Sequence, residues 1–212
     1  MMTALGPMAV QRIDAWQEKF LANDHGDDAW VIDLLRRGVR DARGAPLLFR
    51  AATRCPAFQF LSDKGVDLMQ RGADGSTLLM DMLDIIDVDA FDRLAALFAA
   101  AGAVDLADHD GITPLSSSIR FGRLEKARLL LKHGASPNAI AHIRRYGDAP
   151  LDIATQAVLC IPFEGDRETI SIAALELLKQ HGLDIGKPAR ERLKTQIPDR
   201  CAKLRRWVDD HI

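Results

Sequence analysis

Apolar residues recur along this chain in short stripes of helical period, and each stripe closes on a glycine or a cluster of turn formers. The first, Met8 to Leu21, carries Met8, Val10, Ile13, Ala15, Trp16, Phe20 and Leu21 on roughly one face and predicts a helix. Asn23-Asp24-His25-Gly26 breaks it. Asp27 or Asp28 stands where it can cap a second helix, Ala29 to Arg37, which ends at Gly38. The same order of events is clearest between Asp108 and Ala139. Thr113 can accept an orphan N–H of a first helical turn, and Pro114 loses nothing at the first helical position, where an N–H has no partner anyway. A helix follows to Gly122, and a second runs through Leu129-Leu130-Leu131-Lys132-His133 to Gly134. Glycine at both stops reaches the left-handed cap conformation without a Cβ clash. A capped helix, a tight turn, a second helix and a return loop thus fit within about 33 residues.

The unit repeats. Gly44-Ala45-Pro46-Leu47, Gly75-Ser76-Thr77-Leu78, Gly111-Ile112-Thr113-Pro114-Leu115 and Gly147-Asp148-Ala149-Pro150-Leu151 recur at spacings of 31, 36 and 36 residues. Each leads to a second-helix ending near Gly65, Gly102, Gly134 or Gly182 and then to a return segment such as Val66-Asp67-Leu68 or Ser136-Pro137-Asn138. Gly111, Thr113-Pro114-Leu115, Gly122, Leu129-Leu130, Gly134-Ala135 and Asn138 fall where ankyrin repeats have their recurring residues, so the chain resembles the ankyrin-repeat family. The resemblance implies an all-α solenoid over residues 1–212: cap helices at 8–38, repeats at 41–68, 72–106, 108–140 and 144–185, and cap helices at 187–212. Three departures stand out. Ser116 replaces the usual histidine after Pro-Leu. The second repeat has extra residues, 84–89, between its helices, where Asp89 is expected to cap the outer helix. The fourth follows a lengthened loop, 141–146, and carries a longer break at 160–167, which sets its outer helix at about Glu168 to Gln180. Long loops inside a compact repeat are often functional.

In the ankyrin family the loop tips and the exposed face of the inner helices form a concave protein-binding surface. Carried over, the resemblance points to His109, Asp110, Ile112, Arg120, Phe121 and His133 in the third repeat and to Arg145, Tyr146, Asp148 and Gln156 in the fourth. Phe121 either anchors a partner or packs on a neighbouring inner helix. Tyr146, the one tyrosine, stands beside Arg144 and Arg145 and either enters an interface or caps the loop edge. His133 and His181 precede capping glycines, where a cation suits the helix dipole. In the second repeat Asp81, Asp84, Asp87, Asp89 and Asp92 interleave with apolar residues. A calcium loop would need a glycine at its sharp turn and a late glutamate, so a solvated helix end or an acidic patch for a basic partner is the alternative, with Asp84 the candidate contact. Upstream, Arg36, Arg37, Arg40, Arg43, Arg50 and Arg54 form a local basic cluster, and mixed signs of charge along one face tend to select one partner.

Composition narrows the classes. The chain has 212 residues, 48% hydrophobic and 27% charged, with a net charge of −2, which argues against disorder and against bulk attraction to nucleic acid. No apolar run reaches the roughly 18 residues of a membrane helix, and the N-terminus lacks the features of a secretory signal. Cys55, Cys160 and Cys201 form no paired spacing and suit reduced thiols in the cytoplasm. No nucleophile elbow, phosphate loop or His-Glu-x-x-His pattern is present. We therefore expect no catalytic residue, metal or cofactor, and a non-enzymatic cytoplasmic module that binds a protein. Stand-alone ankyrin proteins of bacteria, whose Arg- and Ala-rich composition this chain shares, suggest a more specific form, an inhibitor or immunity protein that blocks a toxin or enzyme. The alternatives are a host-directed effector or scaffold adaptor, and an enzyme with its site in the 160–167 insertion and the 84–92 acidic segment.

Overall fold

Twelve helices and two short strands account for the regular structure among the described residues of the computed structural model, which are 7–22, 28–54, 57–142, 150–159, 166–199 and 201–212. Six helices among the described residues end alike, on Gly38, Gly65, Gly102, Gly122, Gly134 and Gly182, each with φ between 62° and 89°. The residue after each glycine donates its N–H to a carbonyl five residues back, as Ala135 does to Leu130 and Leu183 to Leu178, both at 3.0 Å. This satisfies carbonyls that the helix end would otherwise orphan. The loops ahead of the first helices also repeat. Asp41 N–H donates to Ala45 O, Gly72 N–H to Ser76 O and Asp108 N–H to Ile112 O, at 2.8 to 2.9 Å. The chain divides into two compact units, Met1–Ala103 and Val104–Ile212.

In the first unit α1 (Pro7–Leu21), α2 (Ala29–Arg36) and α3 (Leu47–Arg54) pack on one another, while α4 (Phe58–Asp63) and α5 (Leu78–Asp81) pack on α6 (Val88–Ala100). Asp28 caps α2 by accepting the N–H of Val31. Ile13, Trp16, Leu34, Leu35, Leu48, Phe58, Phe91, Leu94 and Phe98 are all buried. Gln17, also buried, reaches from α1 to donate to the carbonyls of Arg50 and Ala51, at 2.9 Å each. Ala51 belongs to the last turn of α3, so a side chain of one helix helps to complete the end of another. The cap of α6 is Asp87, which accepts from Ala90 N–H at 2.7 Å, and not Asp89, which lies one residue into the helix.

Of the upstream arginines, Arg36, Arg37, Arg40, Arg43 and Arg50 are engaged in the architecture. Arg50 forms two bonds to the Asp14 carboxylate, Arg37 pairs with Asp33, and Arg43 with Asp41. Arg36 donates to Lys64 O, and Arg40 to Gly44 O at 2.6 Å. Their forked donors tie turns and helix ends together.

The second unit holds α7 (Pro114–Arg120), α8 (Leu124–Lys132), β1 (Ile140–His142), β2 (Pro150–Asp152), α9 (Ile153–Leu159), α10 (Arg167–Gln180), α11 (Lys187–Gln196) and α12 (Ala202–His211). The lengthened loop before the fourth repeat is flanked by the two strands, which pair antiparallel with Ala141 opposite Leu151. Helix α9 packs on α7, α10 and α11, so Ile153 to Val158 are all buried. Arg167 donates to Val158 O and Leu159 O and so finishes α9, while Glu168 accepts from Leu204 N–H at the start of α12. The tail is bound further by Trp207 Nε1–H to Glu176 at 3.0 Å and by Lys194 to Asp209 at 2.9 Å. Leu193, Ile197, Leu204 and Val208 close its core, with Cys201 buried beside them. No helix among the described residues is long and apolar enough to cross a membrane.

Candidate partner-binding surface

The tip of the third repeat is built by its own carboxylate. Asp108 Oδ1 accepts from Asp110 N–H and Ile112 N–H, both at 2.9 Å, and Gly111 closes the turn at φ +77°. That turn lies against β1: His142 N–H donates to Asp110 O at 2.7 Å, and Gly111 faces the backbone of Ile140 and Ala141. His109 is exposed and Asp110 half-buried, so the tip presents an imidazole and a carboxylate on a pinned backbone. Ile112 does not join them. It is only 7% exposed, because the turn directs it inward, toward the start of α7.

Thr113 caps α7, accepting from Ser116 N–H at 3.1 Å, and Ser116 Oγ accepts from Thr113 N–H at 2.9 Å. The serine in place of the usual histidine thus closes a reciprocal cap of its own helix. Pro114 to Ile119 are buried throughout, so this inner helix offers a partner only its end. There Arg120 is half-buried and Phe121 is 43% exposed, with the Arg120 guanidinium 5.7 Å from the ring centroid. His133 is half-buried at the end of α8, where its N–H donates to Leu129 O and Leu130 O.

Gln156 corrects the reading of the fourth repeat. It is fully buried in α9, its Nε2 donating to Leu151 O at 3.2 Å, because α9 is flanked by helices where an exposed face was expected. Arg145, Tyr146 and Asp148 lie outside the described residues, as does most of the 160–167 insertion.

In the first unit Asp84 is exposed in the connection between α5 and α6, beside Ile85 at 50% and near Val88 at 39% exposure. These aliphatics, like Ile140 on β1 at 56%, are exposed although they are apolar. Their one sequence signal is the carboxylates that interrupt the stripe. Asp81 is exposed as a residue, yet partial burial of its carboxyl group first and the nearby Asp74 second raise that carboxyl to about 6, against a hydrogen bond with Ser76. Among the described residues no three His, Cys, Asp or Glu side chains converge as a metal site would require.

Comparison with known proteins bears on the fold. The ankyrin-repeat family model matches residues 110–142, the unit just described. Over nearly its whole length the chain is similar to the crystal structure of an ankyrin repeat domain from Acinetobacter baumannii, with a TM-score of 0.62 at 14% identity and 96% of each chain covered. No curated protein matches by sequence.

Proposed function

We propose that this ankyrin-repeat protein is a protein-binding module whose contact surface in the second unit runs from the His109–Asp110 tip to Phe121. Ankyrin repeats are protein-interaction modules, and the observation that supports this surface is Phe121. Folding buries α7 from Pro114 to Ile119 yet leaves a phenylalanine 43% exposed at its end, beside a guanidinium. A large rigid aromatic flanked by arginine is the composition that carries binding energy at interface centres. The tip and the aromatic bracket a helix of seven residues, about 10 Å long. Both sit on backbone fixed by caps, so little ordering entropy is lost when a partner arrives.

In its specific form the proposal is an inhibitor or immunity protein that occupies the surface of a toxin or enzyme in the cytoplasm. A host-directed effector or scaffold adaptor would use the same surface on a different partner. The test is capture of a stoichiometric partner by the tagged full chain from its native cell, followed by affinity measurement with Phe121→Ala. A loss of about 2 kcal/mol, roughly thirtyfold, is expected of a hot-spot aromatic. An unchanged affinity would remove Phe121 from the interface.

A further inference from the structure

A cavity of about 150 Å³ opens in the second unit between the first residue of β1, the start of α9, the return loop at 183–186 and α11. Ile140, Ile153 and Ile185 wall it, and Ile140 is 56% exposed, so the apolar lining continues outward to solvent. Its polar groups are unevenly matched. Asp152 Oδ1 caps α9 by accepting from Thr155 N–H at 2.8 Å, but the buried Oδ2 accepts no hydrogen bond among the described residues. Arg192 forms an ion pair with that oxygen at 3.7 Å, too long for a hydrogen bond, and the arginine side chain is 47% exposed. Asp184, exposed, adds a second carboxylate, its backbone pinned by N–H donation to Asn138 Oδ1 at 2.8 Å. Two carboxylates against one solvated guanidinium give an apolar socket with net negative charge.

We propose that this cavity receives the side chain of a lysine or arginine from the protein partner. The aliphatic stem lies along Ile140 and Ile185, above the fully buried Ile153, and the cationic head takes the place of the Arg192 guanidinium at Asp152 and reaches Asp184. Long basic side chains cover apolar surface with their stems while their heads seek charge, and a charge-assisted bond to a buried, unsaturated carboxylate oxygen is stronger than a neutral one. The volume is that of an apolar cavity that admits a benzene-sized group, about right for one such side chain. The site rests on the protein-binding reading, but it lies on the side of the hairpin next to α11, away from Phe121 in sequence and served by different residues.

The test uses small probes on the full chain: Nα-acetyl-lysine amide and Nα-acetyl-arginine amide, with the norleucine and glutamate amides as neutral and acidic counterparts. Isoleucine methyl resonances are followed by NMR titration. The basic amides are expected to shift Ile140, Ile153 and Ile185 saturably at roughly millimolar concentration. Asp152→Asn, which retains the α9 cap, and Asp184→Asn should together weaken them about tenfold. Ala189→Met, which fills the cavity from α11, should abolish the shifts. Equal binding of norleucine, preference for glutamate, indifference to the asparagine pair or absence of saturation would each overturn the assignment. Saturable binding of the basic amides without any stoichiometric partner would support the socket and count against the protein-binding reading. A captured partner held at full affinity by the asparagine pair would overturn the socket and leave that reading intact.

Discussion

Gly111 carries φ +77°, and a Cβ there would meet Ala141 Cα and Ile140 O at 3.3 Å. Gly134 has φ +88° with nothing within 4 Å of the same imagined atom. Both glycines have left-handed backbone, yet only the first combines it with a close approach. Gly111→Ala should therefore cost about 2–3 kcal/mol and Gly134→Ala about 1 kcal/mol in urea denaturation; equal losses would contradict the packing of the turn against β1. Asp81 offers a pH test. Its carboxyl is raised from the ordinary 3.8 to about 6 by burial and by Asp74. The neutral acid is the favoured folded form, so its contribution is full below about pH 4 and is lost as pH rises through 6. Asp81→Asn should then stabilise the protein at pH 7 by about 1 kcal/mol, less than the full shift implies because solvent still reaches the side chain. At pH 3 it should change little. A stabilisation that does not depend on pH would show that charge is not the cause.

At the scale of elements, return loops are joined by single side chains. Asn138 donates to Gly182 O at 3.1 Å and accepts from Asp184 N–H at 2.8 Å, bridging the end of the third repeat to that of the fourth. The Asp105 carboxylate accepts from Ser136 N–H with both oxygens at 3.0 Å and does the same one repeat earlier. Asn138→Ala should cost about 1–2 kcal/mol, with faster hydrogen exchange at the Asp184 amide; unchanged exchange there would contradict the bridge. Helix stops were legible in sequence because glycine marks a conformation that few other residues adopt. Caps were legible to within two residues: Thr113 as expected, Asp28 as one of the two aspartates expected for α2, and Asp87 in place of Asp89, since both aspartates fit a helix start and only the chain path chooses between them. The pair of three-residue strands was not legible, because Ile-Ala-His and Pro-Leu-Asp are too short to show a period.

For the whole molecule, repeat spacing carried the fold, because glycine stops and Pro-Leu starts recur where each helix pair must turn. It carried the surface less well. Family position puts Ile112, Phe121 and Gln156 on one binding face, but neighbouring elements decide exposure. The turn takes Ile112 inward, three helices enclose Gln156, and Phe121 alone of the three is left to solvent. The Asp152 cavity was hidden because its walls come from four segments between residues 138 and 192. The central claim is that Phe121, at the end of α7 away from the His109–Asp110 tip, anchors a protein partner. The most direct measurement is calorimetric titration of the captured partner into the wild type, Phe121→Ala and His109→Ala, with Lys132→Ala as an exposed control. The account predicts one-to-one binding, weakened roughly thirtyfold by Phe121→Ala, less by His109→Ala and not by the control. Equal affinity in all four proteins would contradict it.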